Sequence, residues 1–401
     1  MIKDLQHELR IPTGKDDRSR QRFAASLRAH VLGPMAETMR GRYKNYYEPA
    51  YEKAHGKKPD DGSDVHDLML GDEYFRYYSS VRYNAQEMTF RSVIPMIDKN
   101  LDELNERAEQ VRQEKNGTAI TDPDLEVPRN VSAIDVHLAP GSYHTEYAEN
   151  DVAAGAVYDN AINVFAFNQM GLNMDDIGHT MSNYIRIKYP EFKPERILDC
   201  GCSIGHNSVP WKQTYPDAEV TAIDVSAPCI RYAAARAASF GVDVNFMQMN
   251  ATKIDFPDDH FDVVFSSMFL HELPLKDIRA YLKEAHRVLK PGGLLLTMEL
   301  PPNSNLEAYD QFYLDWDCYY NYEPYYKPFR DQDYRELCAT AGFEGENFFD
   351  FQAPRYTYMP EDEFKAIVEA GSGYSEKSGV LGEGLLWYGF GSWKYGFGSW
   401  K

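Results

Sequence analysis

The sequence predicts an α/β fold in which a mostly parallel sheet follows a mainly helical N-terminal region. Three observations carry this prediction. From Arg196 onward, short apolar runs alternate with helical segments, the pattern of a parallel sheet covered on both faces. Glycine and polar residues follow the ends of successive predicted strands. The first 125 residues instead carry apolar residues at helical spacing.

The N-terminal half of the chain is predicted to contain two segments. Residues 1–125 form a helical region, in which 22–40 has helical apolar spacing and 93–115 ends as a highly charged, exposed helix. Residues 116–129 are rich in Gly and Pro and are predicted to be a loop. Residues 126–190 are predicted to connect this region to the sheet and to cover the substrate.

The predicted α/β domain spans residues 191–394. Ser226 is predicted to cap a helix that stops at Gly241. Residues 275–289 have one apolar stripe and predict an amphipathic helix. An aromatic insertion, residues 301–330, follows the fifth strand, and the last two strands are expected to introduce antiparallel pairing. The predicted strands are 196–200, 218–225, 244–250, 261–268, 294–300, 347–352 and 385–394.

The end of the chain contains a perfect repeat. The heptapeptide YGFGSWK occupies residues 388–394 and again residues 395–401. The first copy completes the last predicted strand. Residues 395–401 are predicted to be a duplicated tail, and the sequence leaves open whether that tail is native.

Composition excludes several classes of partner. The net charge of −20 makes nucleic acid and anionic membranes poor partners, because a strongly acidic surface repels phosphate. The first twenty residues are charged throughout, which does not fit a secretory signal, and no apolar run approaches membrane length. Five cysteines at irregular spacing fit neither a disulfide framework nor a zinc ribbon. We therefore expect a cytoplasmic protein.

The segment DCGCSIG, residues 199–205, follows a predicted strand and precedes a helix. Gly201 and Gly205 allow the backbone to turn sharply and to approach a ligand closely. The N-terminus of the following helix offers backbone N–H groups to a carboxylate. The positions of a dinucleotide fingerprint are occupied by Gly201, Ser203 and His206, so a nicotinamide site is not predicted.

Polar groups also follow the next two strands. Asp224 ends the second strand, and a carboxylate there can accept hydrogen bonds from two ribose hydroxyls. Asn250 and Ala251 follow the third strand, where an amide oxygen and a backbone N–H can contact adenine. Successive carboxyl ends of parallel strands meet at the edge where open α/β sheets bind ligands.

These motifs together resemble class I S-adenosylmethionine-dependent methyltransferases of the ubiquinone/menaquinone-methyltransferase kind. The resemblance rests on DxGxSxG at 199–205, AIDxS at 222–226, FPDxxFD at 256–262 and LKPGG at 289–293. It covers about residues 196–301. It implies a Rossmann-like seven-stranded methyltransferase sheet with S-adenosyl-L-methionine as the cofactor.

The resemblance also implies which residues hold that cofactor. The glycine loop would hold its methionine part, Asp224 the ribose, and Asn250 with Ala251 the adenine. Met268 would lie beside the cofactor at the end of the fourth strand. The complete predicted set is Asp199, Gly201, Cys202, Gly205, Asp224, Val225, Asn250, Ala251 and Met268.

Two groups of residues are candidates for catalysis. His271 and Glu272 follow the fourth strand, where a base would help a hydroxyl or amine nucleophile to lose its proton; His271 acting only as a cap is the alternative. Tyr143 and His144 lie in a polar segment, residues 135–147, that could contact substrate, bind a metal or be an ordinary loop. No metal is assigned. The strand-end residues His206 and Glu299, and the insertion residues Trp316, Tyr319 and Tyr320, are further candidates for the site.

The function predicted from these features is methyl transfer from S-adenosylmethionine to a nitrogen or oxygen of a small-molecule acceptor. A protein methyltransferase and a non-catalytic S-adenosylmethionine-binding partner are the alternatives. Turnover to S-adenosylhomocysteine separates the last from the other two. The sequence identifies neither the acceptor nor the oligomeric state, and a homodimer through the N-terminal helices stays open.

Overall fold

A computed structural model describes residues 6–167, 169–371 and 384–398 of the chain. Its N-terminal region is helical, and π-helical turns, Val31–Met35 and Tyr43–Tyr47, interrupt the first helices. Pro34 lies inside the first of these turns, where its missing N–H breaks the regular helical bonding. The helices are α1 (Lys15–His30), α2 (Ala36–Arg42), α3 (Glu48–His55), α4 (Gly62–Met69), α5 (Glu73–Arg91), α6 (Ile94–Lys99) and α7 (Leu101–Glu114).

Two predicted helices of this region are each divided in the structure. The segment predicted at residues 22–40 is split by the π-helical turn, and the segment at 93–115 is split at Asn100 into α6 and α7. Carboxylate caps explain where α4 and α5 begin. The side chain of Asp61 accepts from two backbone N–H groups at the start of α4, and that of Asp72 accepts from Phe75 at the start of α5.

The connecting segment contains α8 (Arg129–Ser132), α9 (Ala153–Phe165) and α10 (Asp176–Lys188). Between the first two of these helices the backbone of His137 adopts a left-handed conformation, with φ of +56°. Gln86 of α5 holds this turn, because its Nε2 donates to the carbonyl oxygen of His137 at 3.0 Å. The helical region therefore positions the connector directly.

The sheet has eight strands among the described residues, one more than the seven predicted. They are β1 (Thr118–Ile120), β2 (Arg196–Cys200), β3 (Glu219–Asp224), β4 (Asn245–Gln248), β5 (Phe261–Ser267), β6 (Leu289–Glu299), β7 (Phe348–Pro354) and β8 (Leu386–Trp393). Their order is β1-β4-β3-β2-β5-β6-β8-β7, and β8 runs antiparallel to both of its neighbours. The predicted antiparallel pairing at the end of the chain is confirmed.

The additional strand is a correction to the sequence analysis. Thr118–Ile120 was predicted as part of a loop but pairs in parallel with β4, with Thr118 opposite Asn245. A three-residue strand at an edge has too few residues for a periodic pattern to show. The predicted boundary near residue 125 therefore does not separate helices from sheet, because this strand precedes it.

The remaining helices surround the sheet. They are α11 (Ser208–Thr214), α12 (Ala227–Ser239), α13 (Leu275–Val288), α14 (Ala308–Tyr320), α15 (Tyr326–Arg330), α16 (Tyr334–Ala339) and α17 (Glu361–Ala370). The predicted cap is confirmed, since Ser226 accepts from the N–H of Cys229, and Gly241 follows the helix end with φ of +68°. Short 3₁₀ turns lie at Val136–Leu138, Leu270–Glu272, Asn303–Asn305, Gly345–Asn347 and Tyr356–Tyr358.

Hydrophobic residues pack on both faces of the sheet. Ile197 and Leu198 are adjacent on β2 and belong to opposite cores, as the alternation of side chains along a strand requires. A third core joins the insertion to the N-terminal helices, where Trp316 of α14 packs near Tyr78 and its Nε1 donates to Ser79 at 2.8 Å. The insertion and the N-terminal region are thus one packed unit.

Two further observations concern the whole described chain. None of the helices in the described ranges has the length and apolarity needed to cross a membrane. The first YGFGSWK copy contributes to β8, and Phe397 of the second copy packs against Tyr189 and Trp393, with ring centroids 4.9 Å away in each case. Residues 399–401 of the second copy lie outside the described residues.

Candidate active site

A cavity of about 300 Å³ opens at the carboxyl ends of the parallel strands. One wall consists of the lining residues between Gly201 and Phe269, which lie at or after the ends of β2, β3, β4 and β5, and we call it the strand-end wall. The opposite side comes from the N-terminal region, the connector and the insertion, and includes Arg28, Phe90, Tyr158 and Tyr313. The cavity therefore lies where the sheet meets the unit formed by the helices and the insertion.

The glycine turn after β2 forms the first part of the strand-end wall. Gly201 has φ of +71°, and a Cβ there would lie 2.2 Å from Cδ2 of Phe269. Gly205 has φ of +70°, and its Cβ would lie 2.6 Å from the ring of Phe246. Both positions thus require glycine for conformation and for space. At Gly201, which lines the cavity, the missing side chain leaves the backbone facing the cavity.

Two carboxylates support this turn. Asp199 is buried and accepts from the Ser208 hydroxyl at 2.5 Å, and burial raises its pKa to about 7. Asp224 accepts from the backbone N–H of Ser203 and of Ser226, both at 2.9 Å. Burial raises the pKa of Asp224, and these N–H donors partly oppose the rise. Asp224 faces the cavity while fixing the loops on either side of it.

Asn250 departs from the role expected of it. Its Oδ1 accepts from both the backbone N–H and the hydroxyl of Thr252, each at 2.9 Å. This oxygen therefore stabilises its own turn, whereas it was predicted to accept from adenine. The Nδ2 donor is the other polar atom that Asn250 brings to the cavity.

The structure divides the predicted cofactor residues into two groups. Gly201, Asp224, Val225, Asn250, Ala251 and Met268 line the cavity. Asp199, Cys202 and Gly205 are not among the lining residues and lie in the support behind the turn. Met268 has φ of +49° and is 39% exposed, so it stands at the end of β5 as a flexible apolar wall.

The strand-end wall fits an adenosyl sulfonium amino acid. That ligand has ribose hydroxyls, an adenine edge and a charged amino-acid end, and the wall offers a carboxylate, an amide and a glycine turn. His206, which also lines the cavity, has a buried Nδ1 without a hydrogen-bond partner among the described residues. Burial lowers the pKa of His206 to about 3, so its imidazole is neutral and offers a polar atom to a ligand.

Glu299, at the end of β6, organises the turn that follows β5. Its Oε1 accepts from the N–H groups of Phe269 and Leu270 at 2.9 and 2.7 Å. Its Oε2 accepts from Nδ1 of His271 at 2.6 Å. Because Glu299 is fully buried and makes all three bonds, it fixes His271 with Nε2 turned towards the cavity.

Four side chains that line the cavity lie close together, and we call them the His/Glu cluster. They are His137, His271, Glu272 and Glu323, each with one nitrogen or oxygen within 4.8 Å of the others. His137 Nε2 lies 2.9 Å from Glu323 Oε1, and His271 Nε2 lies 3.6 Å from oxygens of Glu272 and Glu323. The cluster joins the connector, the turn after β5 and the insertion.

Electrostatics within the cluster follow from burial and proximity. Burial would lower the pKa of both histidines, but neighbouring carboxylates raise it above its usual range. Glu323 acts chiefly on His137, and Glu299 chiefly on His271. Burial alone would raise the pKa of Glu323. The neighbouring His137 acts in the opposite direction, and the pKa of Glu323 lies below its usual value.

Of the two catalytic candidates in the connector, Tyr143 and His144, only Tyr143 lines the cavity. Tyr143 lines the cavity, and its hydroxyl is hydrogen-bonded to Nδ1 of His137. Its carbonyl oxygen accepts from the hydroxyl of Ser226 at 2.6 Å, which docks the connector on the start of α12 beside Asp224. His144 is half-buried and is not among the lining residues.

Some residues that line the cavity could not be identified from the sequence. Glu323 had no local signal, because it lies in an aromatic insertion without a motif around it. Trp316 packs against the N-terminal helices and Tyr319 is 74% exposed, so neither lines the cavity, and Tyr320 does not line it either. Tyr313 and Tyr326 of the same insertion do.

Comparison with known proteins agrees with this site. Residues 197–293 match the family model described as a methyltransferase domain. The demethylmenaquinone methyltransferase of Thermus thermophilus is 35% identical over 112 residues, which are 28% of this chain and 50% of the relative. The ubiquinone/menaquinone biosynthesis C-methyltransferase UbiE of Pseudomonas aeruginosa is 40% identical over 104 residues, 24% of this chain and 39% of the relative.

The chain thus spans half or less of the length of these curated relatives. Among solved structures, phosphoethanolamine N-methyltransferase 2 of Haemonchus contortus has a TM-score of 0.35 and 17% identity, covering 53% of this chain and 51% of that one. The matched stretch contains β3, β4 and β5 and the glycine turn, and it is similar to class I S-adenosylmethionine-dependent methyltransferase domains. In this chain the matched domain is residues 197–293, and the helical region, connector and insertion lie outside it.

Proposed function

We propose that this chain transfers a methyl group from S-adenosylmethionine to an oxygen or nitrogen of a small-molecule acceptor. One observation carries the proposal: a single cavity is lined both by the strand-end residues Gly201, Asp224 and Asn250 and by the His/Glu cluster. Methyl transfer needs a cofactor and a nucleophile in line, at a short distance and away from water. The cavity offers places for both.

The strand-end wall would hold the cofactor. Asp224 would accept from the ribose hydroxyls, Asn250 and Ala251 would border the adenine, and the turn at Gly201 would receive the amino-acid end. Met268 and Phe269 would lie beside the sulfonium, because they follow β5 and line the cavity next to the glycine turn. The cofactor supplies a methyl group on a positively charged sulfur, which is already a good leaving group.

The His/Glu cluster would hold the nucleophile of the acceptor. His271 and Glu272 lie three and four residues after Met268 in the chain, and both line the cavity. The carboxylate oxygens of Glu272 can accept a hydrogen bond from an O–H or N–H group, which favours a heteroatom acceptor over a carbon one. Tyr143 would contribute through its bond to His137.

The rest of the acceptor would meet an apolar and aromatic lining. Phe90, Tyr158, Ile162 and Tyr326 line this part of the cavity together with Phe165 and Leu314. Ligand sites of this type are mostly apolar, with a few polar groups that orient the ligand. We infer an acceptor with a flat or apolar body and one hydroxyl or amino group.

The relatives carry names that differ in the atom methylated. UbiE is named as a C-methyltransferase, and phosphoethanolamine N-methyltransferase 3 of Arabidopsis thaliana is named for nitrogen. The shared region, residues 197–293, contains neither the connector nor the insertion, so we infer that residues outside it contribute to the choice of acceptor. The polar cluster is therefore our reason for proposing oxygen or nitrogen.

The test uses the full chain and labelled cofactor. Purified protein is titrated with S-adenosylhomocysteine by calorimetry and then incubated with methyl-tritiated S-adenosylmethionine and a metabolite extract. We expect one cofactor site per chain, formation of S-adenosylhomocysteine and label in the low-mass fraction. Asp224→Ala is expected to lose binding and labelling together, because the ribose loses its acceptor.

The alternatives give different results. Label in polypeptide would indicate a protein methyltransferase. Binding of S-adenosylhomocysteine without any label transfer would indicate a non-catalytic partner. Absence of a binding heat would contradict the proposal as a whole, provided that circular dichroism shows the chain to be folded.

A further inference from the structure

The His/Glu cluster has a geometry that hydrogen bonding does not account for. His271 Nε2 lies 3.6 Å from Glu272 Oε1 and 3.6 Å from Glu323 Oε1, and His137 Nε2 lies 3.6 Å from Glu272 Oε1. These separations are too long for hydrogen bonds. Only the 2.9 Å contact between His137 and Glu323 lies within the usual range. Four polar atoms thus surround a common point with little direct bonding among them.

The separations match those of ligands around one metal ion. With metal–ligand bonds of about 2.1 Å, two ligand atoms are about 3.0 Å apart at a right angle and about 3.4 Å apart at the tetrahedral angle. The four observed separations, 2.9 Å and three of 3.6 Å, bracket these values. Two nitrogens and two oxygens, all within 4.8 Å of one another, are therefore close enough to bind one ion.

The outer atoms of the cluster are held as metal ligands usually are. Glu299 accepts from Nδ1 of His271 at 2.6 Å, which leaves the lone pair on Nε2 when this ring is neutral. Tyr143 bonds Nδ1 of His137, and Asn321 Nδ2 donates to Glu323 Oε2 at 2.5 Å. Three of the four side chains are thus fixed from behind, with their inner atoms directed at each other.

Charge in the cluster also calls for a cation. Glu272, Glu299 and Glu323 bring three carboxylates next to two imidazoles, and Glu299, Glu323 and His271 are buried. Buried charge of one sign is costly unless it is paired. A divalent ion between the four inner atoms would supply the opposite charge without requiring two neighbouring imidazolium rings.

We propose that His137, His271, Glu272 and Glu323 bind a divalent first-row transition metal ion, such as Mn²⁺, Fe²⁺, Co²⁺ or Zn²⁺. Imidazole nitrogens with carboxylates suit these ions, whereas Mg²⁺ and Ca²⁺ prefer oxygen alone. The ion would face the cavity, and its open position would take an oxygen of the acceptor. This last point rests on the proposed function, but the metal site itself does not.

The test measures metal binding to the full chain without cofactor. Protein is stripped with a chelator, dialysed and titrated by calorimetry with MnCl₂, CoCl₂ and ZnCl₂, and with Fe²⁺ under anaerobic conditions. We expect one site per chain for at least one of these ions. Co²⁺ bound to the cluster should also show visible absorption bands that differ in position and intensity from those of free Co²⁺.

Variants assign the site. Glu323→Gln and Glu272→Gln keep side-chain shape and should each weaken metal affinity at least about tenfold. Glu272 is partly exposed, so its variant tests the site even if the substitution of buried Glu323 disturbs folding. His66→Gln is the matched control, because His66 is an exposed histidine 3.7 Å from Asp67, outside the cavity. It should bind metal as the wild type does.

Two results would overturn the proposal: no stoichiometric binding of any of the four ions, or binding that Glu272→Gln and Glu323→Gln leave unchanged while the circular dichroism of both is normal. Failure of the proposed function is distinct, because it appears as absent S-adenosylhomocysteine binding. Metal binding with no cofactor binding would retain the metal site and refute the methyltransferase function.

Discussion

The two sides of the cavity are built in different ways. The strand-end wall comes from the loops after β2, β3, β4 and β5, and it presents the backbone turn at Gly201 together with Asp224 and Asn250. The His/Glu cluster comes from three distant segments and uses side chains. His137 and Glu323, which touch at 2.9 Å, are 186 residues apart in the chain.

The difference shows where each property of the site resides. The strand-end wall lies within residues 197–293, the part shared with methyltransferase relatives, and we assign cofactor binding to it. The cluster needs the connector and the insertion, which lie outside that part. Substitutions on the two sides should therefore affect cofactor affinity and turnover separately.

The largest difference between the effect on cofactor affinity and the effect on turnover is expected at Gly201. Gly201→Ala should weaken S-adenosylhomocysteine affinity about 100-fold, because the left-handed backbone costs about 1–2 kcal/mol and the methyl group must displace Phe269. Calorimetry measures the affinity. Gly241→Ala is the matched control, since Gly241 has a similar φ of +68° but nothing within 4 Å of its Cβ position. It should lose stability and keep cofactor affinity; equal affinities for the two variants would refute the assignment.

Glu299→Gln should lower turnover and leave cofactor affinity nearly unchanged. An amide cannot accept all three hydrogen bonds that Glu299 accepts, so His271 loses its orientation at a cost of about 1–3 kcal/mol. Turnover should fall about 10- to 100-fold, while S-adenosylhomocysteine affinity changes less than about threefold. Steady-state kinetics with the labelled acceptor, together with calorimetry, checks this. Glu307→Gln, at an exposed position of the insertion, is the control and should behave as the wild type.

The pH dependence of stability should depend on Asp199. Its pKa is about 7 in the folded chain and about 4 when unfolded, so between these values the folded state binds more protons. The free energy of unfolding should therefore fall as pH rises, by about 2 kcal/mol between pH 5 and pH 7, and this loss should be complete by about pH 8. Urea denaturation at several pH values measures the slope. Asp199→Asn should reduce this dependence of stability on pH. An unchanged slope would contradict the raised pKa of Asp199.

The smallest effect is expected at His144. His144→Ala should change turnover and cofactor affinity less than about twofold, because this side chain does not line the cavity. Tyr143→Phe, one residue away, removes the hydroxyl bonded to His137 and should lower turnover several-fold. The same labelled-methyl assay compares the two variants. A larger effect of His144→Ala than of Tyr143→Phe would reverse this assignment.

The sequence predicted much of the sheet because its strands are apolar runs with capped helices between them. Arg196–Cys200 was predicted to the residue, and the cap at Ser226 is present. The edge strand Thr118–Ile120 is too short for a periodic pattern, and its pairing with β4 is a contact between distant segments. Local patterns cannot report such contacts.

The same reasoning applies within the site. Asp224 follows a strand in a recognisable motif, so its place at the cavity could be predicted from neighbouring residues. Glu323 has no such context, and only the packing of the insertion against the N-terminal helices brings it to His137. His271 was predicted as a catalytic candidate, but its partner Glu299 could only be identified once β5 and β6 were paired.

A crystal structure with bound S-adenosylhomocysteine tests the account most directly. The account predicts ribose hydroxyls on Asp224, adenine beside Ala251, and the sulfur near Met268, on the side that faces His271 and Glu272. A ligand bound elsewhere, or a sulfur directed away from the His/Glu cluster, would contradict the claim that cofactor and acceptor meet in this cavity.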